Sequence, residues 1–239
     1  MKDSVRQTIA NNIRRYGYHT VVVAPGGATP RWAYTIGLSE TKGRELLFAG
    51  CVSYLKDEML ELIDRVAKSD LDFEGCVGAA EIPSLSVNVI PVDPTWSERL
   101  MIGVNGYYGA SRLALQMVPT KNRTIDTPRT DIPYSVATAG AFRWLEGEWP
   151  YPVPVNSEVM VDMGVTTGGT ILEVGRWEDN YWEMFSVPRE KIDKSKARLV
   201  PLGVLLAFDP ALVFVTNLAV GESATREPGR AWEVRRGGS

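Results

Sequence analysis

The chain has 239 residues, with 26 Lys plus Arg against 29 Asp plus Glu, a single His, two Cys and seven Trp. That length, with 44% apolar and 23% charged residues, supplies the core of one large or two ordinary domains and excludes disordered and fibrous classes. A formal charge of -3 offers no general attraction for phosphate or anionic lipid, which argues against nucleic acid as a partner. No stretch approaches roughly 18 uncharged apolar residues and the N-terminus has no continuous apolar run, so neither a membrane span nor a signal peptide is expected. Cys51 and Cys76 are too few for a disulfide framework and read as reduced, buried thiols of a cytoplasmic protein.

Asp3 or Ser4 is placed to cap a helix whose apolar positions Val5, Ile9, Ile13 and Tyr16 recur at helical spacing. A strand over His19 to Ala24, a breaker over Pro25 to Pro30, a strand over Trp32 to Leu38 and an apolar run over Leu46 to Ala49 follow. The breaker lacks the Lys-Ser/Thr of a phosphate-binding loop and predicts a hairpin connection. Ser53 is expected to cap a second helix with the stripe Leu55, Met59, Leu62, Ile63 and Val66 and with Asp57 and Glu58 in its first turn. Leu85 to Val92 alternates as a half-buried strand, Trp96 to about Tyr107 predicts a helix, and Ala114 to Val118 a short strand.

Prolines at 119, 128, 133, 150, 152 and 154 then interrupt the pattern, leaving periodicity only around Ala137 to Leu145. Beyond them, Glu158 to Met163, Thr170 to Trp177 and Tyr181 to Val187 read as strands, and Pro188 to Lys196 as a charged surface helix. Leu202 to Phe208 reads as an apolar helical turn or strand, Val213 to Leu218 and Trp232 to Arg235 close the set, and the tail Arg235 to Ser239 is expected to fray. The prediction is an α+β protein of two modules, each a small, mostly antiparallel sheet with packed helices. They span residues 1–120 and 155–239 and are joined by a Pro-rich linker over 121–154.

One histidine excludes every site built from two or more, including classical zinc fingers and facial-triad iron sites, and no Gly-x-Ser-x-Gly elbow supplies a nucleophile. No metal and no cofactor are expected. His19 opens a strand, where a structural role outweighs that of a general base. The other ionisable candidates for catalysis are Tyr34 and Arg44. Alternation puts Trp32, Tyr34, Ile36 and Leu38 on one face of their strand and Ala33, Thr35 and Gly37 on the other; the bare face suits the Leu55 to Val66 helix or a ligand. A buried Gln116 must find partners, so Thr35 and Gln116 either line one polar-bottomed pocket as ligand-binding residues or make a structural bond between strands.

The residues Tyr16-Gly17-Tyr18-His19, Ala33-Tyr34-Thr35-Ile36-Gly37-Leu38, Glu45-Leu46-Leu47, Pro91-Val92-Asp93 and Ala114-Leu115-Gln116-Met117-Val118 together carry a resemblance. Over roughly residues 8 to 118 the chain resembles the bacterial domain-of-unknown-function family 4262. Two departures stand out: Gly43-Arg44 replaces the family's His-Pro before Glu-Leu, and Val118-Pro119-Thr120 with Pro133-Tyr134 replaces its Trp-Pro-Asp and Pro-Trp. Any chemistry of that family His is lost here. The resemblance implies the fold and a bacterial source, and brings no reaction.

In the C-terminal half, Tyr181 to Ser186 and Pro201 to Pro210 are similar to immunity-type domains such as domain-of-unknown-function family 2185. Trp177, Tyr181 and Trp182 surround Glu178-Asp179-Asn180, an aromatic hairpin tip with an acidic rim that suits a protein partner. Two readings follow. The first is a non-enzymatic binding or immunity-like protein whose partner is another protein, toxin-like and basic. The second is a hydrolase or transferase of unrecognised type with its pocket near Thr35 and Gln116.

Overall fold

A computed structural model describes residues 1–235; the expected fraying beyond Arg235 lies outside the described residues. The elements run α1 (Asp3–Tyr16), β1 (His19–Val23), β2 (Trp32–Ile36), α2 (Leu38–Lys42), β3 (Glu45–Ala49) and α3 (Lys56–Ala67). Next come β4 (Ala80–Ile82), β5 (Val87–Pro91), α4 (Pro94–Leu100), α5 (Ile102–Tyr108) and β6 (Ala114–Pro119). The second half holds β7 (Glu158–Val161), α6 (Met163–Thr166), β8 (Glu173–Glu178), β9 (Tyr181–Phe185), β10 (Arg198–Pro201), α7 (Leu202–Phe208), β11 (Ser223–Thr225) and β12 (Glu233–Arg235).

The strands form two six-stranded sheets, ordered β1-β2-β3-β6-β5-β4 and β10-β7-β9-β8-β11-β12. Each is antiparallel apart from one parallel pair, β3 with β6 in the first and β7 with β9 in the second. The expected α+β architecture with two mostly antiparallel sheets is therefore what the chain builds. In the first sheet the pairing Tyr34–Leu47–Gln116 sets one face. That face carries α1, α4 and α5 over Trp32, Tyr34, Ile36, Leu47 and Ala114. The opposite face, with Ala33, Leu46, Phe48, Leu115 and Met117, packs on Met59, Ile63 and Val66 of α3. The small Ala33 thus admits the α3 helix, the first of the two occupants expected for that strand face.

Several local expectations change. Ser53 does not cap α3: Leu55 occupies that position and Glu58 returns its carboxylate to the Leu55 N–H, which frees the Ser53 hydroxyl for a tertiary bond. Leu38 is not strand but the first residue of α2, because Gly37 turns the chain at φ 118 where an added Cβ would strike Ile13. The Trp96 to Tyr107 helix is split at Met101, whose ψ of 44 breaks the helical path. Pro188 to Lys196 holds two short 3-10 turns instead of a helix. β4, β10 and β11 are short strands that periodicity did not signal.

Residues 121–154 carry no strand and one 3-10 stretch, Gly140–Leu145, yet they are not a solvated tether. Tyr134, Ala139 and Phe142 are buried in the core beside the first sheet, and Ala141 and Val153 in the core beside the second. Trp96 stacks edge-on against both Tyr134 and Phe142. The Trp144 indole N–H donates to the Gly203 carbonyl at 2.9 Å, so the segment is sewn to α7. Proline removes backbone donors and breaks periodicity, but it does not stop neighbouring aromatics from being buried.

Candidate functional site

Burial and hydrogen bonding redistribute the residues singled out from the sequence. Thr35 is fully buried; its hydroxyl donates to Glu45 Oε2 at 2.7 Å and accepts from the Leu46 N–H. Gln116 is also fully buried and donates to the carbonyls of Ala49 and Met117. Gln116 shares a face with Tyr34, through Leu47, and Thr35 follows Tyr34, so Thr35 and Gln116 point to opposite faces of the sheet. They cannot floor one pocket, and each serves the strand geometry instead.

The catalytic candidates are dispersed as well. The Tyr34 hydroxyl is buried and accepts from the Gly103 N–H, with its pKa raised by burial. Arg44 donates to the Glu74 carbonyl at 3.4 Å. His19 lines a cleft of about 560 Å³ between α1 and α3. There it pairs with the Asn12 amide at 2.8 Å and burial lowers its pKa, favouring the neutral ring.

Sequence reasoning missed two buried carboxylates. Glu45 accepts from the backbone N–H groups of Gly37, Leu38 and Ser39 and from the hydroxyls of Ser39 and Thr35. A carboxylate with so many donors caps the turn into α2 and locks β2 to β3. Asp126 accepts from the Cys51 and Val52 N–H groups and from the Thr124 hydroxyl. Burial pushes its carboxyl up to about 6 against those bonds, and burial with the nearby Asp126 pushes the Cys51 thiol up to about 12. The only available signal was an acid within an apolar or loop segment, which spacing cannot distinguish from a surface acid.

The aromatic hairpin divides. Trp182 is fully buried in the second module's core under the Arg176 guanidinium, so its assignment to a partner surface is corrected. Trp177 is 39% exposed because it falls at a register shift: Arg176 pairs with Trp182 and Glu178 with Tyr181, leaving Trp177 bulged out. Its ring lies under Arg189 and its N–H donates to Glu183 Oε2. Tyr181 is half-buried and Glu178 and Asp179 are exposed. Arg189 also pairs with Glu173 and Glu183, so a cation already occupies the aromatic face.

What the fold assembles instead is a junction. The Ser53 hydroxyl donates to Thr166 Oγ1 at 2.7 Å, Ile125 N–H donates to the Thr166 carbonyl at 3.0 Å, and Arg198 Nε donates to the Ser53 carbonyl at 2.8 Å. The two Ser53 bonds join the approach to α3, and the Ile125 bond joins residues 121–154, to the half of the chain that builds the second sheet. Beside them open two clefts that share Tyr54 and Arg198. The larger, about 420 Å³, lies between α3, the 83–87 turn, residues 119–122, Met163 and Arg198, and mixes Glu58 and Glu61 with Arg65 and Lys121. The smaller, about 210 Å³, has Arg31, Val52 and Leu55 on one wall and Ala197, Leu199 and Pro201 of the second module on the other. Leu55 and Leu199 are 52% and 54% exposed. Among the described residues no helix is long and apolar enough to cross a membrane, and no group of three or more His, Cys, Asp or Glu side chains is placed to hold a metal ion.

Residues 12–124 match the model of the family described as domain of unknown function (DUF4262). The match ends just past β6 and contains the Glu45-capped turn, the α3 wall of the larger cleft, and Arg31 and Leu55 of the smaller. No curated protein and no solved structure matches the chain, and nothing in these comparisons supports the likeness of the C-terminal half to family 2185.

Proposed function

We propose that the chain is a non-enzymatic, cytoplasmic binding protein that engages another protein across the junction of its two modules. One observation carries this reading: Leu55 from the first module and Leu199 from the second, each more than half exposed, stand on opposite walls of one cleft. Exposed leucines gathered at a concave seam supply an apolar centre, and Glu58, Glu61, Arg65 and Lys121 in the adjoining cleft supply a charged rim of both signs. That is the composition by which protein interfaces combine burial with orientation. Pockets also gather at domain junctions, where two surfaces meet without filling the gap. This position replaces the hairpin tip as the partner surface, and it is compatible with the immunity-like role expected of the C-terminal half.

The test is site-specific photo-crosslinking in the source cells from Leu55 and Leu199, with Val77, 89% exposed and outside both clefts, as the control. The expected result is the same discrete adduct from both leucines and none from Val77. Adducts of equal yield at all three positions, or none at the leucines, would refute the reading.

A further inference from the structure

We propose that the smaller junction cleft is a carboxylate site, taking a carboxylate borne on a small apolar group such as the free C-terminal residue of a partner chain. The inference deepens the reading of the junction as a binding surface and rests on it. Two arginines, Arg31 and Arg198, line this cleft, and no acidic residue does. The Arg31 Nη2 donates to the Tyr54 carbonyl, while its Nε is buried without a partner. Among the described residues no carboxylate lies within 4.0 Å of the Arg31 guanidinium. The nearest buried acid, Asp126, lies behind the cleft wall on the Cys51 and Val52 N–H groups and does not touch the guanidinium, so an anion entering the cleft would be the first to pair with Arg31 directly.

Arg198 is held as a positioned donor. Its Nε and Nη1 donate to the carbonyls of Ser53, Lys196 and Ala197. Its Nη2 has only Glu58 Oε2, 3.9 Å away, and that carboxylate oxygen already accepts from the Leu55 N–H at 2.7 Å. The cleft is therefore lined by two guanidiniums and by no carboxylate. The planar guanidinium fork matches a carboxylate in two parallel hydrogen bonds. The remaining wall is apolar, with Val52, Leu55 and Leu199, so the carboxylate should carry an aliphatic substituent. A volume of about 210 Å³ admits one residue's end or a short aliphatic acid. Capture of a terminal carboxylate is an established mode of peptide recognition.

The experiment measures binding to the full chain by calorimetry, using acetyl-Gly-Gly-Gly-Val as the free acid, the same peptide as its C-terminal amide, and hexanoate. The free acid is expected to bind, and the amide at least about tenfold more weakly, because it removes a charge-assisted bond. Arg31→Gln and Leu199→Glu should each weaken the acid by about tenfold or more. Leu199 is exposed on an edge strand, so Leu199→Glu keeps the fold and tests the site even where Arg31→Gln does not fold. A peptide preferred over hexanoate assigns the ligand to a chain terminus, and hexanoate bound equally well assigns it to a small acid; both support the site. Amide and acid binding alike, acid binding untouched by the substitutions, or no binding of either acid overturns it. Absence of carboxylate binding with the leucine crosslinks intact defeats this inference alone. The converse defeats the protein-binding reading alone.

Discussion

The Ser53 hydroxyl and the Thr166 hydroxyl meet at 2.7 Å, both buried, across 113 positions of sequence. Thr166 Oγ1 in turn donates to the Met163 carbonyl at 2.9 Å, so the contact is one link of a short chain tying the start of α3 to α6. Ser53→Ala should lower stability by about 1 kcal/mol, the usual net worth of one such bond. It should also speed protease cleavage within residues 121–154, which in the unaltered chain should resist cutting because Tyr134, Phe142 and Val153 are buried. Urea titration and timed digestion check both outcomes.

Asp126 gives the junction a pH signature. Its carboxyl is pushed up to about 6 by burial, above the ordinary value of 3.8. The folded state therefore holds a proton that the unfolded chain has released between those values. Its contribution is most favourable below about pH 4 and is lost as pH rises through about 6, an effect on the order of 3 kcal/mol. Asp126→Asn should flatten that part of the stability profile while lowering stability at low pH, since an amide cannot accept from all three donors. Stability curves of both proteins from pH 4 to pH 7 decide it: an unchanged slope in Asp126→Asn would reject the assignment.

Glu45→Gln keeps the size of the side chain and replaces one acceptor oxygen with an NH2 group. Because both oxygens accept, from Gly37 and Ser39 on one side and from Thr35 and Leu38 on the other, either amide orientation sets donor against donor. The expected loss is about 2–3 kcal/mol, read as a drop in the urea midpoint without a change in slope.

Trp182→Ala and Trp177→Ala should separate cleanly. Trp182 has no exposed surface and its removal should cost about 3–5 kcal/mol. Trp177 is bulged and partly exposed, so its removal should cost about 1 kcal/mol or less. Thermal melts followed by circular dichroism provide the comparison, and equal losses would contradict the burial difference.

Periodicity located α1, α3 and β5, because a helix stripe or a strand alternation is written into neighbouring residues and each of these has one buried face, while β6, buried on both faces, was legible only as a short apolar run. The α+β class followed from the same local signals. The resemblance of the first half likewise rested on contiguous residues such as Tyr34-Thr35-Ile36-Gly37-Leu38 and Glu45, whose shared purpose, a buried carboxylate capping a turn, is nearly local. Other features depended on partners far along the chain. Gln116 and Thr35 face apart because β3 stands between their strands, and Trp182 is buried while Trp177 is not because one bulge shifts the register. Arg31, Leu55, Arg198 and Leu199 share a cleft only because β10 forms an edge of the second sheet beside α3. Spacing cannot report such meetings, since pairing order and docking are set by the sum of many non-local burial terms, and the junction exists only once both sheets are in place.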